Sequence, residues 1–253
     1  MKLLFLGSGS AFTVGADNFQ SNMLLIDDDD NKLLIDCGSD IKFSLYEAGF
    51  SHSDITDIYI SHLHSDHVGG LEYIGFSNKF NPNCPKPNLY LSKDVALNLW
   101  QHTLSGGMSS INGDLAELDS FFHVNIIKHN SYFVWQKIKL HLIKVVHVDN
   151  GYYLMPSYGL FGEVNKIKVF ITTDTQLHLA TMQKYYDSAD IIFQDCETAK
   201  YPSNIHAHYD RLVQLPQKIK NKMWLYGYQP GTLPNSQQDG FLGFVKRGQI
   251  FKF

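Results

Sequence analysis

Within the segment Ile60–Gly70, His62, His64, Asp66 and His67 crowd four potential metal ligands into six residues. The preceding Asp57-Ile-Tyr-Ile-Ser61 reads as a short buried strand, and Gly69-Gly70 marks a turn into the next element. The histidines therefore belong at a strand end. In a locally extended chain His62, His64 and Asp66 would face one way and His67 the other, so one segment could serve two adjacent ions. Imidazole and carboxylate donors together suit zinc, with manganese or iron as alternatives. Gathering four such side chains at a buried spot without a metal is costly; a solvated, histidine-rich loop is the competing reading.

A chain of 253 residues with 44% hydrophobic and 18% charged residues can bury a substantial core. One domain over residues 1–253 is the simplest expectation. No apolar run approaches the roughly 18 residues that span a membrane. Met1–Gly7 has the basic and apolar flavour of a secretory leader but lacks its apolar core of roughly 7–15 residues, so it is expected as a buried strand. Cys37, Cys84 and Cys196 are odd in number and widely spaced, which indicates neither a disulfide framework nor a Cys-x-x-Cys zinc site and fits a reducing cytoplasm, the host's if the protein is viral. A net charge of −4 gives no support to wide binding of extended nucleic acid. A small ligand is expected.

Short apolar runs alternate with turn chemistry along the chain. Strands are expected at Leu3–Leu6, Met23–Ile26, Leu33–Asp36, Leu89–Leu91, Lys139–Val148, Lys168–Thr172 and Ile191–Gln194. Helices are expected at Ile41–Ala48, from Ser92 toward Leu104, at Gln176–Tyr186 and at Tyr209–Leu215. The acidic run Asp27–Asp30 reads as a solvated hairpin turn. Residues 105–113, small and polar, read as a mobile loop able to cover a site or reach a second subunit, or as a plain linker. Periodicity alone establishes α/β content.

The His62-x-His64-x-Asp66-His67 pattern resembles the signature of the metallo-β-lactamase fold superfamily. The opening Leu4-Phe-Leu-Gly-Ser-Gly-Ser-Ala-Phe12 and the later Phe170-Ile-Thr-Thr-Asp-Thr175 resemble its ribonuclease Z-like branch. The resemblance implies a four-layer αββα sandwich and two divalent ions, Zn2+ first and Mn2+ as the alternative. It implies that His62 and His64 hold one ion and Asp66 and His67 the other, that His147 completes the first, and that Asp174 bridges both. Asp36 resembles the carboxylate that fixes a ligand histidine in its tautomer. A strand-end histidine, a helix cap and a turn aspartate are the bland readings of His147, Asp174 and Asp36. The chain departs at Met223-Trp-Leu-Tyr-Gly227, where relatives carry a final histidine ligand and this one has glycine. The second ion would then hold Asp66, His67 and Asp174, with water or another residue in the gap; His206 and His208 are the candidates, and a weaker, more open second site is the consequence. By position His206 resembles the histidine beside the scissile phosphate in ribonuclease Z-like enzymes, able to protonate the leaving oxygen, with His208 orienting it or replacing the missing ligand. Two exposed histidines capping a helix are the competing reading.

Further segments narrow the resemblance. Gly106-Gly-Met-Ser-Ser110, His147-Val-Asp-Asn-Gly-Tyr152, Met155-Pro-Ser-Tyr-Gly159, Asp195-Cys-Glu-Thr198, His206-Ala-His-Tyr209 and Asp239-Gly-Phe-Leu-Gly-Phe-Val-Lys-Arg-Gly-Gln249 are together similar to the anti-Pycsar phosphodiesterases, phage and bacterial enzymes that degrade 3′,5′-cyclic nucleotide signals. That resemblance implies cleavage to nucleoside 5′-monophosphates, broad base tolerance and a homodimer. Two cations fit such chemistry: they bind phosphate oxygens, lower the pKa of a water and offset developing charge. Asp66, His206 and His208 are the expected catalytic side chains. Tyr152, Tyr153, Tyr158, Phe161, Tyr73 and Phe76 could rim a base-stacking pocket or simply fill core. Two alternatives stay open. The first is a ribonuclease Z-like RNA-processing enzyme, disfavoured because only 27 positions separate His147 from Asp174, too few for a tRNA-holding arm. The second is a non-catalytic cyclic nucleotide sponge, kept alive by Gly227.

Overall fold

The computed structural model describes residues 1–15 and 17–253. In the first half β1 (Lys2–Phe5), β2 (Met23–Ile26) and β3 (Lys32–Ile35) form a meander, followed by α1 (Ile41–Glu47), β4 (Asp57–Ile60), α2 (Ser65–Val68), α3 (Leu71–Lys79), β5 (Asn88–Ser92) and α4 (Lys93–Leu99). Then come α5 (Ser105–Met108), the hairpin strands β6 (Ser110–Ile111) and β7 (Asp114–Leu115), and β8 (His123–Ile127). The second half comprises β9 (Tyr132–Trp135), β10 (Ile138–Asp149), β11 (Leu154–Val164), β12 (Ile167–Ile171), α6 (Leu179–Ser188), β13 (Ile191–Asp195), α7 (Tyr209–Leu212), α8 (Gln217–Lys220), β14 (Met223–Tyr226), β15 (Gly243–Phe244) and β16 (Ile250–Lys252).

Among the described residues these strands make two seven-stranded sheets, ordered β16-β1-β2-β3-β4-β5-β8 and β15-β14-β13-β12-β11-β10-β9. Each sheet is antiparallel on one side and parallel on the other. Every residue of β2, β3 and β4 is buried, as strands covered on both faces require. Between the sheets Phe5 meets Phe193 at 5.3 Å and Tyr226 at 5.6 Å, and the Tyr59 hydroxyl donates to the Tyr158 carbonyl. Outside, α1 and α3 sink Ile41, Leu45, Leu71 and Ile74 into the same core as β2–β4. On the far face α6, α7 and α8 set Met182, Tyr186, Leu212 and Ile219 over Phe170 and Ile192. The result is a helix–sheet–sheet–helix sandwich.

Four expectations need correction. The metal motif is not extended: His64 leads into α2, so Asp66 and His67 sit in a helical turn and reach the site by turning rather than by strand alternation. Residues 105–113 are not one loop, because the chain continues from α4 through a turn of π-helix (Trp100–Leu104) into α5 and then folds the β6–β7 hairpin. The α6 helix starts at Leu179 rather than Gln176, since Gln176 donates its backbone N–H to Val146 O and its side-chain amide to His147 O. The helix expected over Tyr209–Leu215 is the short α7, after which Pro216 opens α8. Strands β8 and β9 were not foreseen. The Asp27–Asp30 turn is as expected, with Asp27 accepting from the backbone of Asp29 and Asn31.

Phe5 couples both sheets at one position. Phe5→Ala is expected to cost about 3–5 kcal/mol, as buried aromatic truncations do, seen as a lower urea midpoint with an unchanged slope; a loss below about 1 kcal/mol would show that the sheets are held elsewhere.

Candidate metal centre

The site lies where strands of both sheets end. His62 and His64 follow β4, His147 lies near the end of β10, Asp174 follows β12, and Asp36 follows β3. Carboxyl ends of parallel strands are where such sandwiches expose chemistry, because adjacent connections diverge there and leave a crevice. The α2 turn is pressed close to the β3–α1 connection: a Cβ on Gly38 would lie 2.2 Å from Asp66 O. Only glycine permits that approach.

Three overlapping donor sets share Asp174, and the third joins it to Asp195 and His206. In the first, His64 Nδ1 lies 3.1 Å from both His62 Nε2 and His147 Nε2, and Asp174 Oδ2 is 3.8 Å and 3.9 Å from those Nε2 atoms. In the second, His67 Nε2 lies 3.1 Å from Asp66 Oδ2 and 3.2 Å from Asp174 Oδ2. A tetrahedral ion with bonds near 2.0–2.1 Å needs donors roughly 3.3 Å apart, so the spacing fits. Orientation fits as well. The His62 Nδ1–H points to Ser61 Oγ at 3.0 Å, His67 Nδ1–H to Asp36 Oδ2 at 2.8 Å, and His147 Nδ1–H to Ile205 O at 2.8 Å. Each partner leaves the Nε2 lone pair facing the common space. His67 Nε2 is buried, and the two carboxylate oxygens beside it do not meet it in well-aligned hydrogen bonds. The residues present therefore suit two divalent ions sharing Asp174.

Electrostatics follow from burial. Desolvation, reinforced by neighbouring histidines, holds His62 and His64 below the ordinary imidazole value and His147 down at about 4, so these rings are neutral donors. Burial acts on His67 in the same direction but is outweighed by Asp66, Asp174 and Asp36, which hold it well above the ordinary value. Burial would raise Asp174, yet His67 and His206 together keep it well below the usual carboxylate range.

Asp36 accepts from Ser61 N, Ser61 Oγ and His67 Nδ1, all at 2.8 Å. It links both donor sets and adopts φ 62° to do so. Thr173, beside Asp174, has φ 53°, a conformation that β-branched residues avoid. Its hydroxyl donates to Thr172 O at 2.7 Å, Thr172 Oγ1 donates to Thr173 O at 2.9 Å, and Asp195 N donates to Thr172 Oγ1 at 3.0 Å.

His206 and His208 separate. His206 packs its ring 5.0 Å from that of His147 and directs Nδ1 to Asp195 Oδ2 at 2.8 Å, with Asp174 Oδ2 at 3.9 Å. His208 turns away: Nε2 meets Ala199 O at 2.9 Å and Nδ1 accepts from Asp210 N at 3.3 Å, the helix-capping reading. Asp195 is the site residue that the sequence reading missed. It is fully buried, accepts Thr175 N at 2.9 Å, and is lifted by burial to about 6, a rise limited by His206. Its mark in the sequence was a carboxylate at the end of β13, parallel to and beside β12. Burial disfavours charge on His206, but Asp195 and Asp174 overcome it and raise the imidazole to about 10. Of the rim aromatics, Tyr152 and Tyr153 are exposed near His147. Tyr158 instead donates from the core to Asp94, Phe161 packs on Phe170 and Tyr185, and Phe76 on Phe80 and Phe121.

Comparison with known proteins agrees with this architecture. The family model described as anti-Pycsar protein Apyc1 matches residues 1–251. The chain belongs to the anti-Pycsar Apyc1 family. An anti-Pycsar protein Apyc1 of Paenibacillus harenae is 33% identical over 231 residues, covering 90% of each chain. Another, from Bacillus phage vB_BveM-Goe7, is 29% identical over 98% of this chain and 96% of its own. Among solved structures, the metallo-β-lactamase fold protein YhfI of Bacillus subtilis superposes with a TM-score of 0.73 at 15% identity, covering 99% of both chains. The fold is thus the metallo-β-lactamase sandwich. No described helix is long and apolar enough to cross a membrane.

The strain at Thr173 sets a test. Thr173→Gly should relieve about 1 kcal/mol of backbone strain yet free Asp174, leaving the metal-free melting temperature equal or higher while zinc affinity drops. Thr173→Ser should retain both properties. Unchanged zinc affinity in Thr173→Gly would remove the aiming role.

Proposed function

We propose that the chain is a dimetal phosphodiesterase that hydrolyses 3′,5′-cyclic nucleotides to nucleoside 5′-monophosphates and so removes an immune second messenger. The observation that carries this reading is His206, held by Asp195 at 2.8 Å beside the His62/His64/His147 and Asp66/His67 donor sets that share Asp174. Family membership supports the biological setting. Divalent ions bound there would polarise phosphate oxygens, lower the pKa of a water and offset developing charge.

The protein's own groups divide the remaining work. His62, His64, His147 and Asp174 would hold one ion and Asp66, His67 and Asp174 the other, zinc first and manganese as the alternative. Asp36 fixes the tautomer of His67. Asp66 would also accept a proton from the attacking water. His206 gives its Nε2 proton to the departing 3′-oxygen, and Asp195 holds the ring and stabilises its charge. His208 serves this dyad at a distance by capping α7 behind the loop. A cytoplasmic homodimer acting on a small molecule completes the reading; the three cysteines are free thiols. An RNA-processing role gains little support, because the segment between His147 and Asp174 is taken up by the β11–β12 hairpin.

Metal-loaded protein is expected to convert 3′,5′-cyclic mononucleotides to 5′-monophosphates in a chelator-sensitive manner, followed chromatographically beside precursor tRNA. Cleavage of tRNA alone would move the chain to RNA processing, and binding without product would make it a sponge. Asp66→Ala and His67→Ala should abolish turnover with little change in fold. His206→Ala should lower kcat by about 10²–10⁴-fold with a small effect on KM.

The pH profile tests the dyad separately. His206 acts as the protonated acid, so kcat should fall as pH rises through its pKa. Ions that neutralise Asp174 bring this limb below about 10, and Asp195 keeps it above the ordinary histidine value of about 6.5. Asp195→Asn should move the limb to lower pH; a limb that stays in place removes Asp195 from the mechanism.

A further inference from the structure

Gly227 follows β14, in the position where a seventh, histidine ligand would complete the second donor set. The backbone there has φ 77°, and a Cβ would lie 2.7 Å from Asp195 Oδ1. That oxygen is buried and has no hydrogen-bond partner among the described residues. The same carboxylate uses Oδ2 to hold His206 Nδ1 and Thr175 N. The space beside β14 is therefore already filled, by a group that faces His206.

We infer that Gly227 and Asp195 are a matched pair: Asp195 takes the room that a side chain at 227 would need and orients His206, so the second ion is held by only three protein side chains, Asp66, His67 and Asp174. The inference rests on the metal-binding reading above and deepens it. Neither histidine candidate closes the gap. His206 Nδ1 is committed to Asp195 at 2.8 Å, and its ring lies against His147, on the side of the first donor set. His208 has both ring nitrogens engaged elsewhere.

The two sites then differ in kind. The first offers three neutral imidazoles and a carboxylate, a nitrogen-rich set that favours tight zinc. The second offers one imidazole and two carboxylates and leaves a position to water or a substrate oxygen. One ion is a resident and the other exchanges with solution.

Zinc content measures this without any substrate. Protein saturated with zinc and passed through a desalting column with a moderate chelator should retain one equivalent by elemental analysis, and calorimetric back-titration should recover the second with a dissociation constant at least about tenfold weaker, a margin that outer partners alone can shift. Two equivalents held alike would overturn the inference. Asp66→Ala should keep the retained ion and lose the recovered one, whereas His147→Ala should lose the retained ion; the reverse pattern contradicts the assignment. Asp195→Asn should still recover the second equivalent with its affinity within about threefold of wild type, well inside the tenfold shift expected when a supporting partner is lost. Failure to bind it at saturating zinc would make Asp195 itself the missing ligand. Because the readout is metal content, a negative substrate assay leaves this test intact.

Discussion

The buried carboxylate of Asp174 is the contact on which the centre depends, since Oδ2 lies between 3.2 and 3.9 Å from nitrogens of His67, His62, His147 and His206. A lone carboxylate so placed would protonate or expel itself from the interior. Here the surrounding imidazoles hold its charge, and their own neutrality or charge is set in turn by distance from the other carboxylates. Its aim is fixed by covalent geometry one residue earlier, where Thr173 accepts a left-handed backbone stabilised by reciprocal hydroxyl–carbonyl bonds. Strain held next to a ligand is consistent with a backbone selected for where it points rather than for its own stability.

The sandwich exists to bring distant segments to that carboxylate. Strands β3 and β4 deliver Asp36, His62 and His64 from one sheet, while β10, β12 and β13 deliver His147, Asp174 and Asp195 from the other. Neither sheet alone has a complete donor set. Phe5, Tyr59, Phe193 and Tyr226 between the layers therefore govern chemistry as much as stability: a change in sheet spacing moves His62 and His64 relative to His147 and Asp174.

Most of this was legible in the chain where chemistry and periodicity coincide. Four ligand-type residues in six positions point to a metal site, and the short apolar runs within β1, β2 and β3 announce buried strands almost to the residue. His147 and Asp174 were legible because each lies at or just beyond the end of a largely apolar strand segment. What escaped was set by tertiary contact. The capping of α7 by His208 depends on the carbonyl of Ala199, the role of Asp195 depends on the parallel pairing of β13 beside β12, and the late start of α6 depends on Gln176 reaching back to β10. Residues 105–113 misled because glycine and serine composition resembles a loop, although Met108 is fully buried and anchors α5 to the core. Local propensity is a weak prior where a single side chain finds a deep partner.

Charge accounting explains why the centre holds together before any ion arrives. Asp36, Asp66, Asp174 and Asp195 crowd into one interior region, and protonated His67 and His206 answer part of that charge while His62, His64 and His147 stay neutral. Ions bound there would redistribute this balance unequally. The three neutral imidazoles would receive a cation with no proton to lose, whereas His67 lies between carboxylates that favour its charged form and His206 is tied to Asp195. The proton that remains, on His206, is the one that the proposed chemistry needs.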